Sequence, residues 1–338
     1  MVIGAVVVNF NTAGLTERCV ASLAGQRGLV AVVLVDCASA PEDRAALQRI
    51  APPAPASLEL VDAGTNAGFA GGCNLGIAKL LARDDIDAVL LINSDATLAR
   101  DGTAMLHATL DPAAGIDLAG GRIVRPDGST LDSMGIAMYA SLLASNRMCA
   151  EDRHFGPTGG CALYSRRLLE RLRDAHGYVF DESYFCYAED TDLAARALLL
   201  GYRPGYVDAV VATHEGQASS GGGFNDFVLY HGIRNSLWMA VKCVPGWTLL
   251  LRLPLVLALH AAICVRHALR GKAAVVWRLY RDALRGMPAV MAKRRVVQRG
   301  RTIGAREFAR YVTPRFYDRG YLRQSLGDLW TALRRGPG

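Results

Sequence analysis

Acidic and aromatic side chains are concentrated in residues 180–193, directly before a helix that we predict from Leu193 onward. Acids at a helix start commonly serve as caps that the helix dipole stabilises, which explains one or two of them. A carboxylate beside aromatic rings in a cleft can also act as a general base toward a hydroxyl group. Glu189 and Asp190 are therefore candidate catalytic residues, and capping stays the alternative.

A further candidate acid, Asp95, follows an apolar strand predicted over residues 88–92 and ends the sequence Asn93-Ser94-Asp95. A carboxylate in this position can bind Mg²⁺ or Mn²⁺ while diphosphate oxygens and water complete the coordination. His214 follows another predicted strand and is a candidate second contact to the metal or the phosphate. The ordinary alternatives are a turn residue for Asp95 and a structural role for His214.

Residues 64–76 contain five glycines, and the loop that they predict leads into a helix over residues 74–81. Such a loop can bring backbone N–H groups and a helix N-terminus close to phosphates. The segment has neither the Lys-Ser/Thr ending of a P-loop nor the GxGxxG spacing of a dinucleotide site, so both are disfavoured. A tight strand–helix turn is the alternative.

The elements that must position these residues alternate between strand and helix over the first 95 residues. Short apolar runs predict buried strands over residues 2–8, 30–35, 57–61 and 88–92. The alternation predicts a parallel α/β sheet with right-handed crossovers, and ligands bind such sheets beyond the carboxyl ends of the strands. The polar residues just past the strands are therefore candidates for ligand binding: Asn9, Asn11, Asp36, residues 64–74, Asn93 and Asp95.

Two of the remaining segments supply candidate contacts. Asp36, after the second strand, can accept hydrogen bonds from a nucleoside base or ribose, or can be a turn residue. Thr158, Gly159 and Gly160 precede a helix predicted over residues 165–173. Their small side chains suit a close backbone approach to a ligand or to a crowded helix.

The chain has 338 residues, of which 51% are hydrophobic and 20% charged, a composition that excludes disordered and collagen-like proteins. Its charge is divided unevenly. Residues 1–241 carry 18 basic and 27 acidic side chains, whereas residues 242–338 carry 20 basic and 4 acidic ones. We therefore predict a body over 1–241 and a basic, helical region over 242–338 that faces an anionic partner, either lipid headgroups or nucleic acid.

The pattern of the basic region favours a membrane surface. Residues 247–265 are largely apolar but contain Arg252, so a bilayer span is possible and not favoured. Residues 273–291 predict a helix with one apolar and one basic face, which is typical of membrane-surface binding. Packing of this helix on the acidic body is the alternative, and no motif for nucleic-acid recognition is present. Because no signal peptide is recognisable in the first ten residues, we expect a cytoplasmic protein, peripheral at the inner face of the cell membrane.

Taken in order, the motifs resemble family 2 glycosyltransferases of the GT-A fold, and within them the bacterial rhamnosyltransferase-like group. The resemblance covers about residues 3–242. It rests on residues 6–11, 35–39, 66–70 with Gly72, Asn74 and Gly76, 91–95, Arg122 with Asp127-Gly128, 180–187, 189–193, and His214 with Gly216 and Ser219.

The resemblance implies a Rossmann-like, mostly parallel sheet flanked by helices, with a C-terminal helical extension. It also implies an inverting transfer of a sugar, first of all rhamnose from dTDP-rhamnose, from a nucleoside diphosphate donor to a hydroxyl of a lipid-linked glycan or cell-wall polysaccharide. Asp190 matches the family's base, with Glu189 beside it, and Asp95 and His214 match the residues near a divalent cation. The implied donor-binding residues are Asn9, Asn11, Asp36, Asn66, Gly68, Asn74, Asn93 and Asp95, and we place Gly159, Gly160, Tyr187 and Asp192 on the acceptor side.

Two positions depart from the family pattern. Cys37 stands where the family usually has Asn, and Ser94 stands where it usually has Pro. The motif Asn93-Ser94-Asp95 contains only one carboxylate, that of Asp95. Metal binding is then expected to be weak or shared with the donor diphosphate. Two other classes of protein stay open: a nucleotidyltransferase, which residues 9–14 disfavour because they hold no basic side chain, and a catalytically silent sugar-binding or scaffold protein.

Overall fold

The computed structural model describes residues 1–216, 225–318 and 320. The strands are β1 (Ile3–Asn9), β2 (Leu29–Asp36), β3 (Ser57–Asp62), β4 (Ala88–Asn93), β5 (Ala96–Leu98), β6 (Ile116–Val124), β7 (Leu131–Ser133), β8 (Ile136–Met138), β9 (Ala144–Asn146), β10 (Cys161–Ser165) and β11 (Arg203–His214). The helices are α1 (Ala13–Ser22), α2 (Pro41–Leu47), α3 (Gly68–Leu81), α4 (Gly102–Thr109), α5 (Arg166–His176), α6 (Glu189–Leu199), α7 (Asp226–Cys243), α8 (Gly246–Leu269), α9 (Ala273–Gly300) and α10 (Ala305–Phe308).

One large sheet organises the body, with strand order β3-β2-β1-β4-β10-β6-β11-β5 and with β7 paired to β6. Strands β3, β2, β1 and β4 run parallel, and β10 enters antiparallel between β4 and β6. In this register Asn9 lies opposite Asp36 and Val8 lies opposite Asn93, so the carboxyl ends of three strands meet at one edge. The predicted α/β sheet flanked by helices is confirmed.

Apolar side chains bury both faces of the central strands. Every residue of β1 is buried, and separate apolar cores lie on the two sides of the sheet. Such burial explains why these strands are continuous apolar runs rather than alternating ones.

Helix α3 begins at Gly68 rather than at the predicted Asn74, because the glycines belong to the helix and not to a loop. A Cβ at Gly72 would lie 2.6 Å from Val8 Cγ1, and one at Gly76 would lie 2.5 Å from Val6 Cγ1. These two glycines therefore let α3 pack directly on β1. The prediction of a glycine-rich loop over residues 64–76 is wrong from Gly68 onward.

The C-terminal helices pack on the body with one face and leave another exposed. Helix α7 runs through the predicted boundary between residues 241 and 242. The apolar face predicted for residues 273–291 is buried at Val276, Leu279 and Ala283, so this face contacts protein. Helix α8 is long and apolar enough to cross a membrane by length and composition alone. Its outward side exposes 69% of Trp247 and 77% of Leu251.

Candidate active site

A cavity of about 630 Å³ opens at the carboxyl edge of the sheet. Its lining brings together ten of the residues that the sequence singles out: Asn66, Gly68, Asn93, Asp95, Gly159, Gly160, Tyr187, Glu189, Asp190 and His214. Asp95 and Asp190 thus line the same cavity although 95 positions separate them in the chain. Five predicted site residues do not line it: Asn9, Asn11, Asp36, Asn74 and Asp192.

Asp95 lies at the start of a chain of charged side chains. Its Oδ1 is 3.1 Å from Nε2 of His214, whose Nδ1 lies 2.7 Å from Oδ2 of Asp132. Asp132 in turn pairs with Arg125 at 2.6 Å. Burial lowers the pKa of His214, but its hydrogen bonds to the two carboxylates outweigh burial and raise the pKa to about 9. His214 is therefore an imidazolium between two carboxylates at neutral pH.

The donor set around Asp95 fits a divalent cation that is shared with a ligand. Asn93 lines the same cavity, and its Oδ1 is buried without a hydrogen-bond partner among the residues described. An orphaned oxygen beside a carboxylate suits Mg²⁺ or Mn²⁺, which prefer oxygen ligands. Within residues 1–216 and 225–318, no group of three or more His, Cys, Asp or Glu side chains is arranged to hold a metal ion. Further ligands would have to come from the diphosphate and from water.

Asp190 is fixed by backbone donors. Its Oδ2 accepts a hydrogen bond from the Gly159 N–H at 2.9 Å, and its Oδ1 accepts one from the Thr191 N–H at 2.6 Å. Burial raises the pKa of Asp190, and these hydrogen bonds only partly oppose the shift. A carboxylate with this geometry and a raised pKa is suited to accept a proton.

Glu189 is the first residue of α6 and is 6% exposed. Burial and repulsion from Asp190 raise its pKa well above the ordinary value, which favours the neutral form. Its Oε2 has no hydrogen-bond partner among the described residues. The N-cap position is Ala188, which has no capping side chain. Asp190 accepts from the first-turn N–H of Thr191 and so has a capping role as well, whereas no such hydrogen bond within the described part of the chain accounts for the buried Oε2 of Glu189.

The loop before these acids adopts an uncommon backbone. Phe185, Tyr187 and Ala188 have φ values of 65°, 71° and 66°, a region that non-glycine residues rarely occupy. Strain of this kind persists only where surrounding structure holds it.

Asn235 of α7 supplies the restraint on this loop. Its Nδ2 donates to the carbonyl oxygens of Tyr184, Cys186 and Tyr187 at 2.8–2.9 Å. Asn235 is completely buried, so its amide is available only to these protein acceptors. The C-terminal helices therefore shape the segment that carries the candidate base.

Asp192 lies in a buried ion cluster rather than on the acceptor side. It pairs with Arg196 at 2.7 Å and with Lys242 at 2.8 Å, and it is completely buried. Lys242 also pairs with Asp181, which Lys293 of α9 contacts from the other side. The cluster ties α6, α7 and α9 together beneath the loop.

The predicted nucleoside contacts form a network beneath the surface at the tips of β1 and β2. Asn9 is completely buried and donates to Asp43 and Ser39. Asp36 is 1% exposed, accepts from Ser39, and pairs with Arg44 at 3.2 Å. Both residues hold the first turns of the chain in place and do not face the cavity.

The two other predicted donor contacts also bind protein. Asn11 accepts from the Ala40 N–H at 2.8 Å. Asn74 exchanges two hydrogen bonds with the backbone of Phe180 and donates to Glu182 at 2.8 Å. Asn74 therefore anchors the acidic segment to α3.

Sequence reasoning missed Asp132 and Asn235. Asp132 lies 82 positions from its partner His214, and Asn235 lies 48 to 51 positions from the carbonyls that it holds. Neither residue belongs to a motif. Ser219 and the stretch 217–223, whose Ser/Gly-rich composition predicts a lid over substrate, lie outside the described residues.

Known proteins resemble this chain in sequence over its first half. The family described as glycosyl transferase family 2 matches residues 5–173, half of the chain. The low-salt glycan biosynthesis hexosyltransferase Agl10 of Haloferax volcanii is 24% identical over 168 residues, 46% of this chain and 52% of that protein. The chain thus spans about half the length of this curated relative.

One solved structure shares the fold of this chain. The mannosyltransferase PcManGT from Pyrobaculum calidifontis, in complex with GDP-Man and Mn²⁺, superposes with a TM-score of 0.51 at 17% identity, over 97% of this chain and 87% of that one. TarS 1–349 of S. aureus has a TM-score of 0.48 at 18% identity, over 86% and 92% of the two chains. The fold is GT-A, and the chain belongs to glycosyl transferase family 2.

Proposed function

We propose that this glycosyltransferase moves a sugar, with inversion, from a nucleoside diphosphate donor to a hydroxyl group of a lipid-linked glycan or cell-wall polysaccharide. The observation that carries the proposal is the single cavity lined by both Asp95 and Asp190. Glycosyl transfer requires a stabilised leaving diphosphate and a base for the acceptor hydroxyl, and these two carboxylates supply one requirement each.

Asp95 serves the donor side together with His214 and Asn93. When bound there, Mg²⁺ or Mn²⁺ supplies positive charge that offsets the charge of the leaving diphosphate. His214 must release its Nε2 proton before that nitrogen can act as a ligand. While it keeps the proton, the imidazolium can instead donate to a diphosphate oxygen.

Asp190 serves the acceptor side. The acceptor oxygen forms a bond to the anomeric carbon, the bond from that carbon to the diphosphate oxygen breaks, and Asp190 takes the hydroxyl proton. A single displacement of this kind inverts the anomeric centre, and glycosyl transfer of this type proceeds through an oxocarbenium-like transition state. The N–H groups of Gly159 and Thr191 hold the carboxylate still while it accepts the proton.

The donor sugar is open to direct measurement. Rhamnose from dTDP-rhamnose is the first candidate, from the resemblance of the motifs, and GDP-mannose is the second, because PcManGT is described in complex with it. A thermal-shift screen of nucleoside diphosphate sugars with Mn²⁺ tests both, since a ligand at a hundred times its Kd stabilises the native state by about 2.7 kcal/mol.

The same screen tests the site. We expect Asp95→Ala to lose the Mn²⁺-dependent shift and Asp190→Asn to keep it. A donor hydrolysis assay with the wild type then separates an enzyme from a silent sugar-binding protein. A shift that is the same in Asp95→Ala and wild type contradicts the assignment of Asp95.

We further propose that the protein is cytoplasmic and binds the inner face of the cell membrane as a peripheral protein. The support is the exposed apolar side of α8 within a region of 20 basic and 4 acidic residues. We expect flotation with anionic liposomes, and we expect Trp247→Ser combined with Leu251→Ser to abolish it. Leu75→Ser, at a residue of the body that is 40% exposed, is the matched control and should float like wild type.

A further inference from the structure

A second cavity, of about 390 Å³, shares a wall with the candidate active site. It is lined by Phe227, Tyr230 and His231 of α7 and by Arg278 of α9. Phe227 lines both cavities. The second cavity is thus formed by α7 and α9 and adjoins the candidate active site at Phe227.

Positive charge is in excess around this cavity. The Arg278 guanidinium lies 5.1 Å from the centre of the Tyr230 ring, and Arg234 lies 4.9 Å from the same ring. No carboxylate of the described residues lies within 4.0 Å of the cationic nitrogens of either arginine. The nearby Asp282 accepts from the Tyr230 hydroxyl and pairs with Arg281.

The excess of positive charge affects the pKa of His231. Burial first, and then the neighbouring Arg234 and Arg278, lower the pKa of His231 to about 4, although a hydrogen bond to the Tyr184 backbone opposes them. His231 is therefore neutral near pH 7, and Arg234 donates to its Nδ1 at 3.3 Å. Arg278 lines the cavity, so an anion that enters would meet its guanidinium group, and no carboxylate is among the described lining residues. Arg234 donates to Tyr230 and His231 and adds positive charge nearby.

Aromatic rings connect the two cavities. The Phe227 ring lies 6.1 Å from Tyr187, beside the candidate base, and 4.5 Å from His231. On the other side, Trp277 and Leu284 of α9 expose 70% and 68% of their surfaces. Phe227 thus links the ring beside the candidate base to the second cavity, and α9, which contributes Arg278, also carries exposed apolar side chains.

We propose that the second cavity binds the phosphate or diphosphate group of an amphiphilic acceptor, with Arg278 as its main contact. The inference deepens the proposed function and rests on it: the glycan of the acceptor extends along the aromatic rings toward Asp190, and the lipid chain extends over α9. Arginine suits this role because its planar fork matches phosphate oxygens.

Binding of geranyl diphosphate to the full chain in EDTA tests the proposal, because the chelator removes divalent cations from the Asp95 site. Geraniol is the probe that lacks the diphosphate group, and inorganic pyrophosphate is the probe that lacks the hydrocarbon chain. The variants are Arg278→Gln and, as the matched control, Arg285→Gln, which removes the same charge two helical turns away. Both arginines are exposed, so both variants should fold, and far-UV circular dichroism checks this.

We expect wild type and Arg285→Gln to bind geranyl diphosphate equally, and Arg278→Gln to bind it about tenfold more weakly, as for the loss of one charged hydrogen bond. Geraniol should bind more weakly than the diphosphate in wild type and equally in all three proteins. Equal losses in the two variants would identify general attraction to anionic lipid and overturn the proposal. No binding of geranyl diphosphate by wild type would also overturn it.

This measurement is independent of sugar transfer. A wild-type protein that binds geranyl diphosphate through Arg278 but transfers no sugar from any donor would contradict the proposed function and leave the anion site standing. A protein that transfers sugar but does not bind geranyl diphosphate through Arg278 would support the proposed function and overturn the anion site.

Discussion

The two carboxylates of the cavity are held in opposite ways. Asp95 stands at a strand tip among charged side chains, with His214 and Asp132 behind it. Asp190 stands at a helix start, where backbone N–H groups hold it and burial raises its pKa. The first arrangement keeps negative charge beside cations, and the second prepares a group to gain a proton.

The two carboxylates, at opposite ends of the candidate site, are also supported by different parts of the chain. The Asp95 end is built by strands β4, β7 and β11 of one sheet. The Asp190 end needs a loop that Asn235 and the ion cluster around Lys242 restrain from the C-terminal helices. Mutations in the helices should therefore impair the base and spare the donor site.

The largest expected effect tests the acid pair itself. Asp190→Asn should lower the transfer rate about 10²- to 10⁴-fold, the usual worth of a general base, with donor affinity unchanged. Glu189→Gln is the matched control, because an amide resembles the neutral carboxyl that burial favours, and it should keep most of the activity. Single-turnover rates and donor titrations measure both. If Glu189→Gln loses as much as Asp190→Asn, the roles of the two acids must be exchanged or shared.

The next effect probes the donor end. Asp132→Asn removes the carboxylate behind His214, and a residue that orients a metal contact is typically worth about 10- to 100-fold in metal affinity or activity. Mn²⁺ titration of donor binding is the measurement. The control is Asp127→Asn, a surface residue in the neighbouring turn that bonds only to Ser129 and Thr130 among the described residues. Equal Mn²⁺ affinity in Asp132→Asn and wild type would show that Asp132 does not support His214.

Asn235→Ala sharpens the comparison between the two ends. The substitution removes the hydrogen bonds that the part-buried carbonyls of Cys186 and Tyr187 accept from Asn235, so the free energy of unfolding should fall by about 1–3 kcal/mol. We expect kcat to fall about tenfold, the effect of a small misplacement of the base, while the donor Kd stays the same. Ser236→Ala, at the adjacent buried residue, should change neither quantity. A parallel loss of donor affinity would mean that the loop serves both ends.

The smallest expected effect is a shift in pH dependence. The base must be ionised, so kcat/KM should fall as the pH drops through the pKa of Asp190 in the free enzyme. Because burial raises that pKa, the acidic limb should lie above the value of about 3.9 for an ordinary aspartate. The pH profile of kcat/KM shows the limb directly. A limb at or below the ordinary value would contradict the raised pKa.

Local patterns explain which parts of this molecule were predictable. The apolar runs of β1, β2 and β4 and the polar residues at their tips are set by burial on both faces, so the sheet edge and Asp95 follow from the sequence. The start of α3 does not follow from the sequence, because its glycines are typical of a loop. Their role becomes clear only in the structure, where a Cβ at Gly72 or Gly76 would clash with Val8 or Val6.

The supporting residues could not be predicted for a different reason. Polar residues at strand tips look alike in sequence, whether they face a ligand or, like Asn9 and Asp36, satisfy one another below the surface. Asn235 acts through backbone carbonyls, which have no residue identity, so no sequence pattern can mark it. Only the long-range hydrogen bonds of the structure distinguish the residues that line the cavity from the residues that support its walls.

The ion pairs that join Asp181 to Lys242 and Lys293 have a consequence for modular exchange within the family. The segment that matches the family ends at residue 173, before the candidate base, Asn235 and both lysines. A chimaera that borrowed only this segment from a relative would have to fit the resident acidic segment, which Asn74 and Gly159 of the borrowed part contact. Everything from the acidic segment to α9 would have to be transplanted together, since these parts form one electrostatically interlocked unit.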